Sequence, residues 1–342
     1  MKKAIRILSL ILAVVMTVSM VACGKKQESG ELAEVKVGVL KGPTGVGAVK
    51  LIEKDSSGKT IGKYDIDLYE TANANALVTN VINGSVDIAA VPINTASILY
   101  AKTNGGVKVI AANALGVLSI VGYGDIAEIS QLKGAIIHTV NKGATPEYIL
   151  RYVLQQNGLN PDTDVDIRFY ANPADAIAAS VVFESQGTTS VAMIPEPALT
   201  VNLSQSPDLK VLFDMTEEWN KVSDTRLVQG VLVVRNEFLE KNPEAVDMFL
   251  EEYSESVGYV NGYPSRAAKL LVEYGIVNNE TVAKHSIPNC NVVCITGSPM
   301  KKNVSGMLGV LFGSNPASIG GKLPAEDFYY VAAAVENADA EK

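Results

Sequence analysis

Apolar positions along this chain come in short runs, and between the runs they recur at helical spacing. Residues 35–40 form the first run. A glycine-rich turn and an amphipathic stretch to about residue 55 follow, closed by Ser56-Ser57-Gly58. Residues 64–70 alternate like a half-buried strand. Residues 73–83 are helical up to Gly84, 86–91 are almost wholly apolar, 94–103 are helical up to Gly105-Gly106, and 107–113 form a further strand. A short, nearly continuous apolar run marks a parallel strand covered on both faces. The order is βαβαβαβ, which predicts an α/β fold with a mainly parallel sheet and right-handed crossovers.

Residues 115–122 read as a strand leaving this first set, and the pattern then restarts. Strands are predicted at 136–140, 164–170, 190–194 and 209–215, with helices at 145–157, 173–184 and 198–204 between them. Thr145 reads as an N-cap, with Pro146 in the first turn and Gly158 past the helix end. The second set echoes the first. Residues 86–92 (VDIAAVP) lead through a helix to 107–110, as 189–195 (TSVAMIP) lead through a helix to 209–212. The chain then carries an isolated strand at 230–234, a long helix at 243–260 capped by Asn242, and shorter helices at 264–274, 280–285 and 300–312. Phe328-Tyr329-Tyr330 reads as the opening of a last one. A lone strand cannot build a new sheet, so the economical layout returns it to the first set. That gives a first lobe of residues 34–119 plus 230–342, a second lobe of 120–229, and two crossings near 119–122 and 223–230.

One motif stands at the same place in both lobes. Lys41-Gly42-Pro43-Thr44-Gly45 follows the first strand, and Lys142-Gly143-Ala144-Thr145 follows the strand at 136–140. Each is a strand–turn–helix junction, where unpaired backbone N–H groups and the helix dipole favour negative charge. Paired across two lobes, they suit a ligand gripped from both sides.

The first residues read as an export signal. Lys2, Lys3 and Arg6 precede an apolar run at 7–20, too short for a membrane span. Met20-Val21-Ala22-Cys23-Gly24 then resembles a bacterial lipobox, with methionine in place of the usual leucine. Residues 1–22 would be removed, Cys23 would carry the lipid, and 23–33 would be a polar, flexible tether. Cleavage takes away three basic residues and no acidic one, so the formal charge of −8 becomes −11. An acidic chain without a basic run makes a poor nucleic-acid binder. Hydrophobic residues at 47% against 19% charged exclude a disordered chain. Cys290 and Cys294 lie too far apart along an extended segment for a disulfide and read as buried thiols. With only His138 and His285 beside them, no metal-ligand spacing is present.

Taken with Gly84-Ser85-Val86-Asp87-Ile88-Ala89, Gln131-Leu132-Lys133-Gly134, the turn at 143–146 and Glu196-Pro197, the sequence resembles the substrate-binding proteins of bacterial ABC importers. The branch is that of nitrate, taurine and alkanesulfonate binders, which also holds binders of thiamine-precursor pyrimidines. The resemblance implies a two-lobed, type II periplasmic-binding-protein-like fold. It also implies a monomer held at the extracytoplasmic face by its lipid, a small-molecule ligand, and delivery to a permease with a cytoplasmic ATPase. No cofactor or catalysis is implied. Near the expected cleft, Lys41, Thr44, Asn94, Thr95, Lys142 and Thr145 could donate to an anion, unless the lysines are simply solvated. Trp219 either stacks on a ring-shaped ligand or packs at the second crossing. Glu196 either faces the ligand, favouring a cationic or N–H group, or caps the helix that follows it. A sensing or adhesion lipoprotein, or a pyrimidine-precursor enzyme on the same fold, are the competing functions.

Overall fold

The computed structural model describes residues 32–70, 74–140 and 142–331. The signal-like segment and Cys23 lie outside them. The chain divides into two units, Met1–Ala33 and Glu34–Lys342, and the description concerns the second.

Eleven strands are found among the described residues: β1 Glu34–Leu40, β2 Lys63–Tyr69, β3 Ile88–Pro92, β4 Val107–Ala114, β5 Leu118–Gly122, β6 Ile136–Val140, β7 Asp166–Tyr170, β8 Ser190–Pro195, β9 Lys210–Asp214, β10 Gly230–Arg235 and β11 Val292–Ile295. They form two mixed sheets, ordered β11-β4-β10-β3-β1-β2 and β7-β6-β8-β5-β9. Read from the β2 and β7 edges, the two orders are the same, with β11 as an extra edge strand. The echo in the sequence is therefore an echo in space: β3 and β8 hold equivalent places, as do β4 and β9.

The strand each sheet borrows from across the crossing is its one antiparallel insertion between parallel neighbours. β10 pairs antiparallel with both β3 and β4, and β5 pairs antiparallel with both β8 and β9. The composition of β10, Gly-Val-Leu-Val-Val-Arg, fits that central slot, because a strand flanked on both edges and covered on both faces must be apolar throughout. Leu118–Gly122 lies wholly in the second sheet, so the chain leaves the first sheet at 115–117, ahead of the expected crossing at 119–122.

Helices cover the sheets largely where the periodicity places them, with local differences. The first predicted helix is broken in two, Pro43–Val46 and Val49–Ser56, separated by Gly47-Ala48. Two helices went unread, Met215–Val222 and Asn236–Lys241. The first has a clear signal, since Asp214 caps it by accepting from Thr216 and Glu217 N–H at 2.7 and 3.4 Å. No helix opens at Phe328: a single 3₁₀ turn, Glu326–Phe328, ends there, and Tyr329 bridges to Val109. Cys290 is buried and Cys294 half-buried, both as free thiols. Burial pushes them up to about 12 and about 11.

Candidate ligand cavity

In parallel sheets the loops after the strand ends line the binding crevice. Here four such ends converge: the segments after β1 and β3 from one sheet, and after β6 and β8 from the other. With the two crossings they enclose a cavity of about 570 Å³, within the range of small-molecule sites. Lys41, Gly42, Pro43, Thr44, Asn94 and Thr95 line one side, and Ala144, Thr145 and Glu196 the other.

Four residues put forward from the sequence are not brought there. Gly45 packs on β1, where a Cβ would meet the Leu40 carbonyl oxygen at 2.6 Å. Lys142 and Gly143 line a different cavity, of about 820 Å³, between the helices Thr145–Gln156 and Gly297–Ser314. The Lys142 ammonium sits 5.7 Å from the centre of the Phe169 ring. Trp219 is fully buried, 4.9 Å from the Tyr152 ring, and its Nε1 donates to the Thr225 carbonyl at 2.6 Å. It packs at the second crossing.

The two glycine turns differ from the anion grips the sequence implies. In the first, Gly42 adopts φ 102°, which only glycine takes easily. The N–H groups of Gly45 and Val46 fold back onto the Gly42 carbonyl at 2.9 and 3.2 Å. The Thr44 hydroxyl donates to the Leu40 carbonyl at 3.2 Å, and Lys41 is ion-paired with Glu70. In the second, the Gly143 N–H donates to the Glu147 carboxylate at 2.7 Å, and Arg151 Nε holds that carboxylate's other oxygen at 2.8 Å. The chain's own anion thus takes the Gly143 N–H, on the side of the other cavity. Pro43 and Pro146, in the first turns of their helices, carry no N–H at all.

Thr145 is not the N-cap. Ala144 holds that position, and Thr145 is the first helical residue. It is 7% exposed, and its Oγ1 has no hydrogen-bond partner. The opposite wall holds a second such group, Nε2 of Gln229, which is also buried and unpartnered. Backbone bonds from Gln229 N–H to the Ala114 carbonyl (3.0 Å) and from Ile93 N–H to the Gln229 carbonyl (2.9 Å) fix that residue between β3 and β4. A buried polar group left unpaired costs about 1–3 kcal/mol. The sequence reading missed Gln229, although it is the polar residue immediately before the isolated strand.

Glu196 does both things the sequence left open. It is 3% exposed and lines the cavity. It also accepts from the Thr200 N–H and hydroxyl at 3.1 and 3.0 Å, anchoring the helix Ala198–Gln205. A third bond, from Asn289 Nδ2 at 2.9 Å, reaches it from the segment before β11, a strand of the other sheet. Burial raises its pKa, and the three donors pull against that rise. Behind the first turn, Asn113 Nδ2 donates to the Thr44 carbonyl (3.0 Å) and to the Tyr253 hydroxyl (3.3 Å), tying the turn to β4 and to the helix Pro243–Gly262.

Among the described residues the cavity wall offers Glu196 as its one carboxylate and neither histidine nor cysteine. His138 is fully buried inside the second sheet, its ring nitrogens on the Tyr170 and Ser190 hydroxyls at 2.8 and 2.9 Å. The groups at the wall can hold a molecule by contact and hydrogen bonding, and no nucleophile–base pair stands among them.

Comparison with known proteins agrees with this architecture. The model of the NMT1-like family matches residues 28–197. An ABC transporter structure from Parabacteroides distasonis is 21% identical, with a TM-score of 0.69, covering 86% of this chain and 98% of that one. The periplasmic aliphatic sulphonate binding protein of Escherichia coli is 17% identical, with a TM-score of 0.65, covering 87% and 93%. The alkanesulfonate-binding protein of Xanthomonas axonopodis pv. citri, bound to MOPS, is 15% identical, with a TM-score of 0.61, covering 89% and 100%. No curated protein matches. The resemblance to the nitrate, taurine and sulfonate branch read from the sequence holds, and with it the two-lobed α/β fold.

Proposed function

We propose that this chain, which belongs to the NMT1-like family over residues 28–197, is an extracytoplasmic solute-binding lipoprotein of an ABC importer. It captures a small molecule in the 570 Å³ cavity and delivers it to a membrane permease driven by a cytoplasmic ATPase. The observation that carries this reading is the convergence of four strand ends and both crossings on one cavity with unpaired polar groups on two of its walls. The sheets meet the cavity from opposite sides, and the crossings at 115–117 and 223–229 join them. Rotation about those two segments would open and close the cavity without breaking either sheet, because β5 and β10 are locked in the sheet interiors.

The lipid anchor on Cys23 belongs to the same proposal, and so does the division into a first lobe of 34–119 plus 230–342 and a second of 120–229, its first boundary moved to 117/118 because β5 pairs in the second sheet. A monomer suffices, since every wall of the cavity comes from one chain. Two measurements test it. Small-angle scattering of stripped protein should give a smaller radius of gyration once a saturating solute is added; a radius that stays constant under saturation counts against closure. Cys23→Ala should release the protein from the membrane or leave the precursor unprocessed. If the variant is processed and still membrane-bound, the anchor is elsewhere.

A further inference from the structure

We propose that the cavity takes an uncharged organic molecule with an apolar body and one hydrogen-bonding edge, such as an amide, carbonyl or hydroxyl group, and rejects sulfonates, nitrate and carboxylates. This rests on the solute-binding reading above and narrows its ligand.

The charge on the wall comes first. Of the residues that line the cavity, only Lys41 and Glu196 are ionisable. Lys41 is already neutralised by Glu70. Glu196 is a fixed carboxylate, held by Thr200 and Asn289. An anion inside would meet the acceptor oxygens of Glu196 and, among the described residues of the wall, no unpaired cation. Among the described residues no arginine lines the cavity, so none there offers the bidentate fork that suits sulfonate and carboxylate oxygens.

The backbone gives the same answer. At the Lys142–Thr145 turn the Gly143 N–H already carries the Glu147 carboxylate. At the Lys41–Thr44 turn the N–H groups of Gly45 and Val46 are spent on Gly42. Prolines occupy the first turn of both helices. Those particular donors are not open to an oxyanion.

What the wall does offer is apolar surface, the Asn94 and Thr95 side chains, and two buried neutral groups without partners. Leu40, Val117, Leu118, three alanines and the proline rings at 43, 92, 146, 195 and 197 make up most of the lining residues. The Thr145 Oγ1 from one side and the Gln229 Nε2 from the other are buried without partners. A neutral polar edge satisfies both without bringing charge into the site, and the carbon body covers the rest. Toward a cation the described residues of the wall offer only the Glu196 carboxyl group, most of whose acceptor sites are taken by Thr200 and Asn289.

The test uses the purified protein, unfolded and refolded to remove resident solutes. Yeast extract is split at pH 7 on anion- and cation-exchange resins into anionic, cationic and neutral fractions, and thermal unfolding is recorded with each. The neutral fraction should raise the melting temperature, by roughly 5 °C for a component present near a hundred times its dissociation constant. In a Thr145→Val, Gln229→Leu double variant that folds with an unchanged far-ultraviolet spectrum, the shift should vanish. A shift produced by the anionic or cationic fraction instead overturns the proposal and leaves the solute-binding reading intact. An undiminished shift in the double variant also overturns it. A protein that responds to no fraction overturns the solute-binding reading itself.

Discussion

Thr145→Val separates two readings of the same residue by the sign of its effect. Were Thr145 the N-cap of its helix, as the sequence implies, valine would remove the capping oxygen and cost about 0.5–2 kcal/mol. In the structure Ala144 is the N-cap, and the Thr145 Oγ1 is buried without a partner. Valine keeps the shape, deletes the stranded oxygen and replaces it with a methyl group. Thr and Val have nearly equal helix propensity, so that term cancels. Removing an unpaired buried polar group returns about 1–3 kcal/mol, and a neutral hydroxyl belongs at the low end. The expected change in stripped protein is a gain of about 1 kcal/mol, or about 2–4 °C in melting temperature. The assay is urea unfolding of wild type and variant, side by side after refolding from denaturant, followed by far-ultraviolet circular dichroism. An unchanged slope shows that the midpoint reports stability alone. A fall in the midpoint of stripped Thr145→Val would refute the reasoning, because it would mean the hydroxyl has a partner worth keeping.

Three further outcomes follow from the burial pattern. Glu252 is 1% exposed and accepts from Gly62 N–H (2.9 Å), Tyr64 hydroxyl (2.8 Å), Ile61 N–H (3.1 Å) and Lys54 Nζ (3.1 Å). Glu252→Ala should therefore cost about 3–5 kcal/mol in urea unfolding, and a loss under about 1 kcal/mol would show the network to be dispensable. Burial opposes its charge, yet these donors win and hold its pKa below the ordinary 4.5. Its contribution is thus present above that value and lost as pH falls through the depressed one. Burial, and then Arg168 against a smaller opposing pull from Asp166, lower the His138 pKa below 6.5. The unfolded chain then takes up a proton the folded one resists, so stability should fall as pH drops below 6.5, and His138→Gln should flatten that slope in urea midpoints taken from pH 7 to 5. Trp219, the single tryptophan, is 0% exposed. Its fluorescence should be blue-shifted and should hold its wavelength when a solute saturates the cavity; a red-edge maximum, or a large shift on saturation, would put the indole at the ligand.

Much of the fold was legible because it is written in local periods. The apolar runs at β1, β3 and β6, and the helical spacing up to Gly84, Gly105 and Gly158, need only a few neighbouring residues to read. The repeat of VDIAAVP as TSVAMIP gave the two-sheet plan for the same reason. Apart from the helix after Asp214, whose cap is a local signal, the failures are non-local. Nothing within residues 115–122 says which sheet they join; β5 is fixed by Met193 and Phe213 beside it, each more than seventy residues away. The break at Gly47-Ala48 has a similar cause. A Cβ on Gly47 would come within 2.6 Å of the Tyr253 hydroxyl, so the helix Pro243–Gly262 decides how the turn must run.

The candidate site divides along the same line. Position in the chain told which loops meet, since loops after parallel strands share one edge of the sheet. It did not tell which donors remain available there. The Gly143 N–H looked open because the rule for helix starts counts donors one helix at a time, and the carboxylate that takes it lies inside the next turn, at Glu147. Lys142 looked like a ligand hand because of its spacing from Lys41, but its partner is the Phe169 ring on the neighbouring strand. Gln229 looked like a linker residue and is instead held by backbone bonds to Ile93 and Ala114, at the junction where β10 enters between β3 and β4. Chemistry at a cleft is what the rest of the fold leaves unpaired. In this chain the glycine turns use several of their own donors, and the buried side-chain groups left without partners at the cavity wall are a threonine one residue inside its helix and a glutamine on the crossing.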